Sequence, residues 1–258
     1  MSRDPHADHA AEILTEIGYT VERILETTDE TADLWAHSGS DRLTIEVKSR
    51  VDDLDVVKEL AAAPGTVVTR ETPLVRSDPL GRMIRKARSQ IRASQSGYPG
   101  LGVLWFRPDP VLGVSNAIEQ VKANLLGSRW VSYRLDGQFG FAPAFLVAPT
   151  DFHRFPDLDA AVLQKQDELQ LVVNPFSARK DPLRATRLHH YFDAGGAVID
   201  LDRLASGKDH FILRCELDRA DKPAVLAALA HQHPGHAFTF SNMQAFSGIT
   251  TINRSDLD

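Results

Sequence analysis

The run Leu43-Thr44-Ile45-Glu46-Val47-Lys48 constrains this chain more than any other, because apolar and polar residues alternate along it as they do in a half-buried strand. Ile45 and Val47 then point into a core, while Glu46 and Lys48 share the opposite face. Upstream, the short apolar run Ala32-Asp33-Leu34-Trp35-Ala36 reads as a neighbouring strand that carries Asp33. Two carboxylates and one ammonium at the rim of a sheet suit a hard divalent cation with a water beside it, which is chemistry for cutting a phosphodiester.

The flanking elements fix where those strands sit. Ala10, Ile13, Leu14 and Ile17 fall at helical spacing, so a helix is expected over Ala7 to Ile17, with Gly18 as its stop. A first strand, Thr20 to Leu25, follows, then a polar turn over Thr27 to Glu30, the Asp33 strand and the Glu46 strand. The stretch from Val51 to Ser77 gives no clear reading. Ser77-Asp78-Pro79 signals a helix start, and Leu80, Ile84, Ala87 and Ile91 trace one buried stripe. Leu101 to Phe106 reads as a buried strand.

Beyond it the pattern predicts a helix over Ser115 to Leu126 and strands over Trp130 to Leu135 and Ala144 to Ala148. A helix around Leu158 to Glu168 comes next, with a strand Leu169 to Val173 and a helix Leu183 to Phe192. Strands Ala197 to Leu201 and Phe211 to Leu217, a helix Pro223 to Ala230 and a strand near Ala237 to Phe240 close the chain. The expectation is an α/β fold, with a boundary near Pro149-Thr150-Asp151 dividing residues 1–150 from a C-terminal α/β region, 151–258.

At 258 residues, 43% of them hydrophobic, the chain can bury a substantial core. Its formal net charge of -6 excludes a uniformly basic nucleic-acid binder. Contact with nucleic acid would need a local basic face, and the helix after Ser77 offers one in Arg82, Arg85, Lys86, Arg88 and Arg92, with no acidic residue between the first and the last. Arg179-Lys180 with Arg184 and Arg187 is a second cluster, diluted by Asp181 and Asp193.

Cys215 is the single cysteine, so no disulfide forms within the chain, and an apolar setting marks it as a buried strand residue. The His231, His233, His236 run beside Pro234-Gly235 reads as an exposed turn, and His189-His190 as surface. No Gly-rich phosphate loop or G-x-S-x-G elbow occurs. A polar N-terminus without a signal core, and no run of the roughly 18 apolar residues a membrane span needs, give a cytoplasmic expectation without membrane association.

Mg2+ takes one or two carboxylates together with waters and phosphate oxygens. Asp33 and Glu46 would supply the carboxylates and the Val47 carbonyl a third oxygen, with Mn2+ as a substitute ion. Lys48 would orient the water or meet charge on the phosphate.

With this order of helix, Gly18-Tyr19-Thr20-Val21 entry, Asp33, Glu46-Val47-Lys48, helix and buried strand, the first hundred or so residues resemble the PD-(D/E)xK nucleases, the restriction-endonuclease-like superfamily. The resemblance implies a mixed central sheet flanked by helices. It further implies metal binding by Asp33 and Glu46, help to the nucleophilic water from Lys48, a supporting role for Gln90 on the following helix, DNA as the expected substrate and a homodimer that pairs two sites. Ala32 stands where the family's name has proline. Glu12 and Glu16, on the opening helix, are read as facing solvent. The competing expectation is a nuclease-like fold kept as a nucleic-acid-binding or protein-interaction module without cleavage. An unrelated enzyme with its site in 151–258 ranks below both, since no constellation appears there.

Overall fold

The computed structural model describes residues 4–25, 31–52, 58, 67–110, 116–204 and 209–250. Asp4 accepts the His6 N–H at 2.9 Å and Pro5 takes the first turn, which starts helix α1 at Pro5–Ile17. Gly18 stops it at φ 99°, in the left-handed region that costs a residue without Cβ little. Strands β1 (Thr20–Arg23), β2 (Leu34–Ser38) and β3 (Asp41–Asp52) then form an antiparallel meander. The turn expected over Thr27 to Glu30 falls mostly outside the described residues.

After β4 (Val67–Pro73), α2 (Asp78–Ser94) buries the expected stripe of Leu80, Ile84, Ala87 and Ile91. It lies in the connection from β3 to β5 (Leu101–Pro110), which pair in parallel and so need a crossover. Gly100 allows that pairing to begin, because a Cβ there would sit 2.6 Å from the Arg42 carbonyl oxygen. The chain continues through α3 (Ala117–Leu126), the hairpin β6 (Arg129–Leu135) and β7 (Gln138–Phe145), and α4 (Asp151–Arg154). β8 (Ala160–Lys165) and β9 (Glu168–Val173) form a second hairpin, followed by α5 (Lys180–Arg184), α6 (Arg187–Ala194), β10 (Val198–Ile199) and β11 (Phe211–Ile212). Last come α7 (Lys222–Gln232), β12 (Ala237–Phe240) and β13 (Gln244–Thr250).

The fold is mixed α/β. A seven-stranded central sheet, ordered β1-β2-β3-β5-β8-β9-β10, contains both parallel and antiparallel pairs and has helices on both faces. Leu34, Ile45, Val47, Val103 and Trp105 pack toward α1 and α6, while Leu104 and Phe106 pack toward α2 and α3. β11-β7-β6-β12 make a four-stranded sheet over α7, and β13 pairs with β4. No helix among the described residues is long and apolar enough to cross a membrane.

Several expected elements differ. The helix around Leu158 to Glu168 is the strand β8 and its turn, because Ala160 to Gln164 are buried on both faces and show no alternation. The single helix Leu183 to Phe192 is two, since Thr186 leaves helical geometry and its side chain accepts the His189 N–H as a new cap. The strand expected over Phe211 to Leu217 is confined to Phe211–Ile212, and Cys215 is half-buried in an irregular segment. The central sheet takes β8, β9 and β10 from beyond residue 150, so the expected boundary does not separate one sheet from the next.

Candidate active site

β3 sets the site's face. Ile45 and Val47 bury themselves toward α1 and α6, so the alternating residues Thr44, Glu46 and Lys48 turn toward α2. Asp33 lies immediately before β2, donates its N–H to the Ile45 carbonyl at 3.1 Å, and accepts the Val47 N–H on its own carboxylate at 2.8 Å. A side chain thereby completes the ladder where β2 runs out. The N–H and C=O of one strand residue leave on the same side, so the Val47 carbonyl also faces the Asp33 end of the site. The Lys48 ammonium donates to Glu46 Oε1, and Glu46 Oε2 is buried with no hydrogen-bond partner among the described residues.

The segment bearing Asp33 is pinned to α2 at two points. Gln90 donates from Nε2 to the Thr31 carbonyl at 3.1 Å, and the Ala32 N–H donates to the buried Ser94 hydroxyl at 2.8 Å. A proline at position 32 could not make the second bond, since it has no N–H to give. Gln90 therefore acts on the backbone two residues before Asp33, and its Oε1 is buried without a hydrogen-bond partner among the described residues. Ser94 carries no sequence signal for this role beyond closing the apolar stripe of α2.

Electrostatically the pair of carboxylates is under-compensated. Glu46 is 1% exposed, and burial, then the charge of Asp33, push its carboxyl up to about 8 against the pull of Lys48. Burial also raises Asp33, opposed by the Val47 N–H and by Lys48. Without a further cation the pair favours holding a proton. Among the described residues no group of three or more His, Cys, Asp and Glu side chains gathers around a cation position. Two carboxylates and a backbone carbonyl still fit an ion that keeps most of its waters, and the orphaned Oε2 of Glu46 is the oxygen such an ion would satisfy.

The basic residues of α2 separate into two rows. Arg82, Lys86 and Gln90 recur every fourth residue and lead along one flank to the site. Arg85, Arg88 and Arg92 line the other, where Arg88 is already committed: its guanidinium grips Asp157 at 3.0 and 2.6 Å and lies 5.7 Å from the Phe155 ring centre. Arg88 thus braces α2 against the segment before β8, and its guanidinium is engaged there. Arg82, Arg85, Lys86 and Arg92 are exposed, and Arg82, Arg85 and Arg92 have no ion pair among the described residues.

Other candidates resolve as structural parts. Glu12 and Glu16 are exposed on α1, as expected. The Arg179 cluster is internal: Arg179 clamps the buried Asp159 and Arg184 pairs with Asp181, Asp200 and Asp202. His189, expected at the surface, is 1% exposed, and burial lowers its pKa. Pro234-Gly235 form an exposed turn beside the exposed His231, as expected, while His233 and His236 pack on Phe211 and Phe238. No protein-family model, curated protein or solved structure matches the chain.

Proposed function

We propose that this chain is a metal-dependent nuclease of the PD-(D/E)xK, restriction-endonuclease-like kind, acting on nucleic acid and on DNA before RNA. The observation that carries the reading is the meeting of Asp33, Glu46 and Lys48 on one face, with a buried carboxylate oxygen that has no hydrogen-bond partner among the described residues. A Mg2+ ion, or Mn2+ in its place, supplies there the neutralisation of phosphate charge and the acidification of a water. Asp33, Glu46 and the Val47 carbonyl are its oxygen donors. Lys48, fixed by Glu46, directs its ammonium at the water or at charge building on the phosphate. Gln90 holds the backbone before Asp33 in place, and the Arg82, Lys86 row meets the phosphate backbone on the way in. Arg85 and Arg92 add to the field from the other flank.

A second reading has support of its own: Glu46 is almost fully buried and Lys48 is already engaged with it, as suits a module that binds nucleic acid and does not cut. One experiment separates the two. Purified protein is incubated with supercoiled DNA, linear DNA and RNA in Mg2+, Mn2+ or EDTA, beside Glu46→Ala and Lys48→Ala. We expect metal-dependent cutting by the parent chain and a loss of at least a hundredfold in either variant. Binding without cutting in either metal selects the second reading, and cutting that survives both substitutions overturns the site.

A further inference from the structure

A cavity of about 930 Å³ lies away from the Asp33 cluster and shares no residue with it. Its walls come from α4, from the segment that leaves the hairpin β6–β7 and from the irregular segment after β11, so it occupies the seam between the two larger sheets. That size and position are those of small-molecule sites.

Three observations give the cavity a chemistry. Leu146 lines it at φ 60°, a left-handed conformation that an aliphatic residue adopts only when its surroundings enforce it, and such positions gather at ligand clamps. Arg219 lines it with one terminal guanidinium nitrogen, Nη2, on the Cys215 carbonyl at 2.5 Å and the second terminal nitrogen, Nη1, buried without a hydrogen-bond partner among the described residues. A buried donor on an arginine is costly to leave unpaired, and an anionic oxygen satisfies it best. His153 and Phe176 meet edge to face with ring centres 4.9 Å apart, forming an aromatic wall, and Arg154 lies beside them with no carboxylate partner among the described residues.

The acidic groups nearby do not remove this preference. Asp151 is held by Arg76 at 2.9 Å, and Asp218 accepts the Ala220 N–H. Glu216 and the second oxygen of Asp218, both on the exposed side of the lining, remain to accept a hydroxyl or amine. We infer that the seam cavity binds a small anion built on a flat ring, its phosphate or carboxylate on Arg219 and Arg154 and its ring against His153 and Phe176. This inference does not depend on the nuclease reading.

Cys215 lines the same cavity, is half-buried and is the sole thiol of the chain, so its alkylation reports occupancy directly. The test measures the rate of Cys215 modification by N-ethylmaleimide in the full-length protein with adenosine monophosphate, 1-naphthyl phosphate, 1-naphthol or inorganic phosphate at millimolar concentration. We expect at least one of the two ring phosphates to slow the reaction fivefold or more, and naphthol or phosphate alone to leave it within twofold. Arg219→Ala and Arg154→Ala should each cut the protection severalfold, and the exposed Arg154 keeps the test usable if Arg219→Ala fails to fold. The inference is overturned by no protection from either ring phosphate, by equal protection from naphthol or phosphate alone, or by protection that a folded arginine variant retains.

Discussion

Glu46 is a carboxyl that the fold keeps from water and presses against a second acid, and its titration should be readable in the stability of the whole protein. Its folded pKa of about 8 lies above the ordinary value of 4.5, so between those limits the folded state binds more protons than the unfolded one. Stability is therefore fullest below about pH 4.5 as far as this group is concerned, and falls as pH rises through 8. Asp33 is shifted the same way and adds to the trend. In EDTA the chain should lose on the order of 2–4 kcal/mol between pH 5.5 and 9. Glu46→Gln should flatten that slope, and millimolar Mg2+ should restore stability at pH 9 in the parent chain alone. Thermal melts across the range read all three, and an equal slope in Glu46→Gln would remove the buried carboxyl from the account.

At the scale of elements, α2 does two jobs that its sequence does not distinguish. Arg88→Ala should cost about 0.5–1 kcal/mol in urea denaturation, because it breaks a two-pronged pair with Asp157 that is partly open to solvent, and should leave the salt dependence of DNA binding unchanged. Replacing Arg82, Arg85 and Arg92 by alanine together should shift stability by under about 0.5 kcal/mol apiece. It should also lower the salt slope of binding by as much as ~3 if all three meet phosphates. Fluorescence anisotropy with a labelled duplex at several salt concentrations separates these outcomes. The division was hidden because Asp157 lies far along the chain from Arg88. The sharing of one face by Glu46 and Lys48, and the buried stripe of α2, were legible because both are local periodicities. β8 was misread for the converse reason: buried on both faces, it has no period to show. β7 was seen only at its end, since Phe139 and Phe141 are exposed and Gly140 and Pro143 read as breakers.

Across the whole molecule, what the sequence concealed is pairing at a distance. Besides β3, β5 pairs in parallel with β8, and its residues register Val103 against Ala160 through Phe106 against Leu163, beyond the boundary expected near residue 150. A fragment of residues 1–150 would leave β5, one of the most apolar strands, as an open edge. We expect that fragment to lack a cooperative unfolding transition and to bind hydrophobic dyes, whereas the full chain melts cooperatively. Circular dichroism and dye fluorescence on the two proteins check this, and a sharp melt of the fragment would return the boundary to residue 150. The same topology bears on synthesis. Among the described residues β4 pairs with β13 alone, far along the chain, so at roughly 5–20 residues per second the ribosome exposes a lone ribbon for many seconds before its complement emerges. Newborn copies crowded on one messenger then risk zipping to each other through that ribbon, and slowing translation would lengthen their exposure.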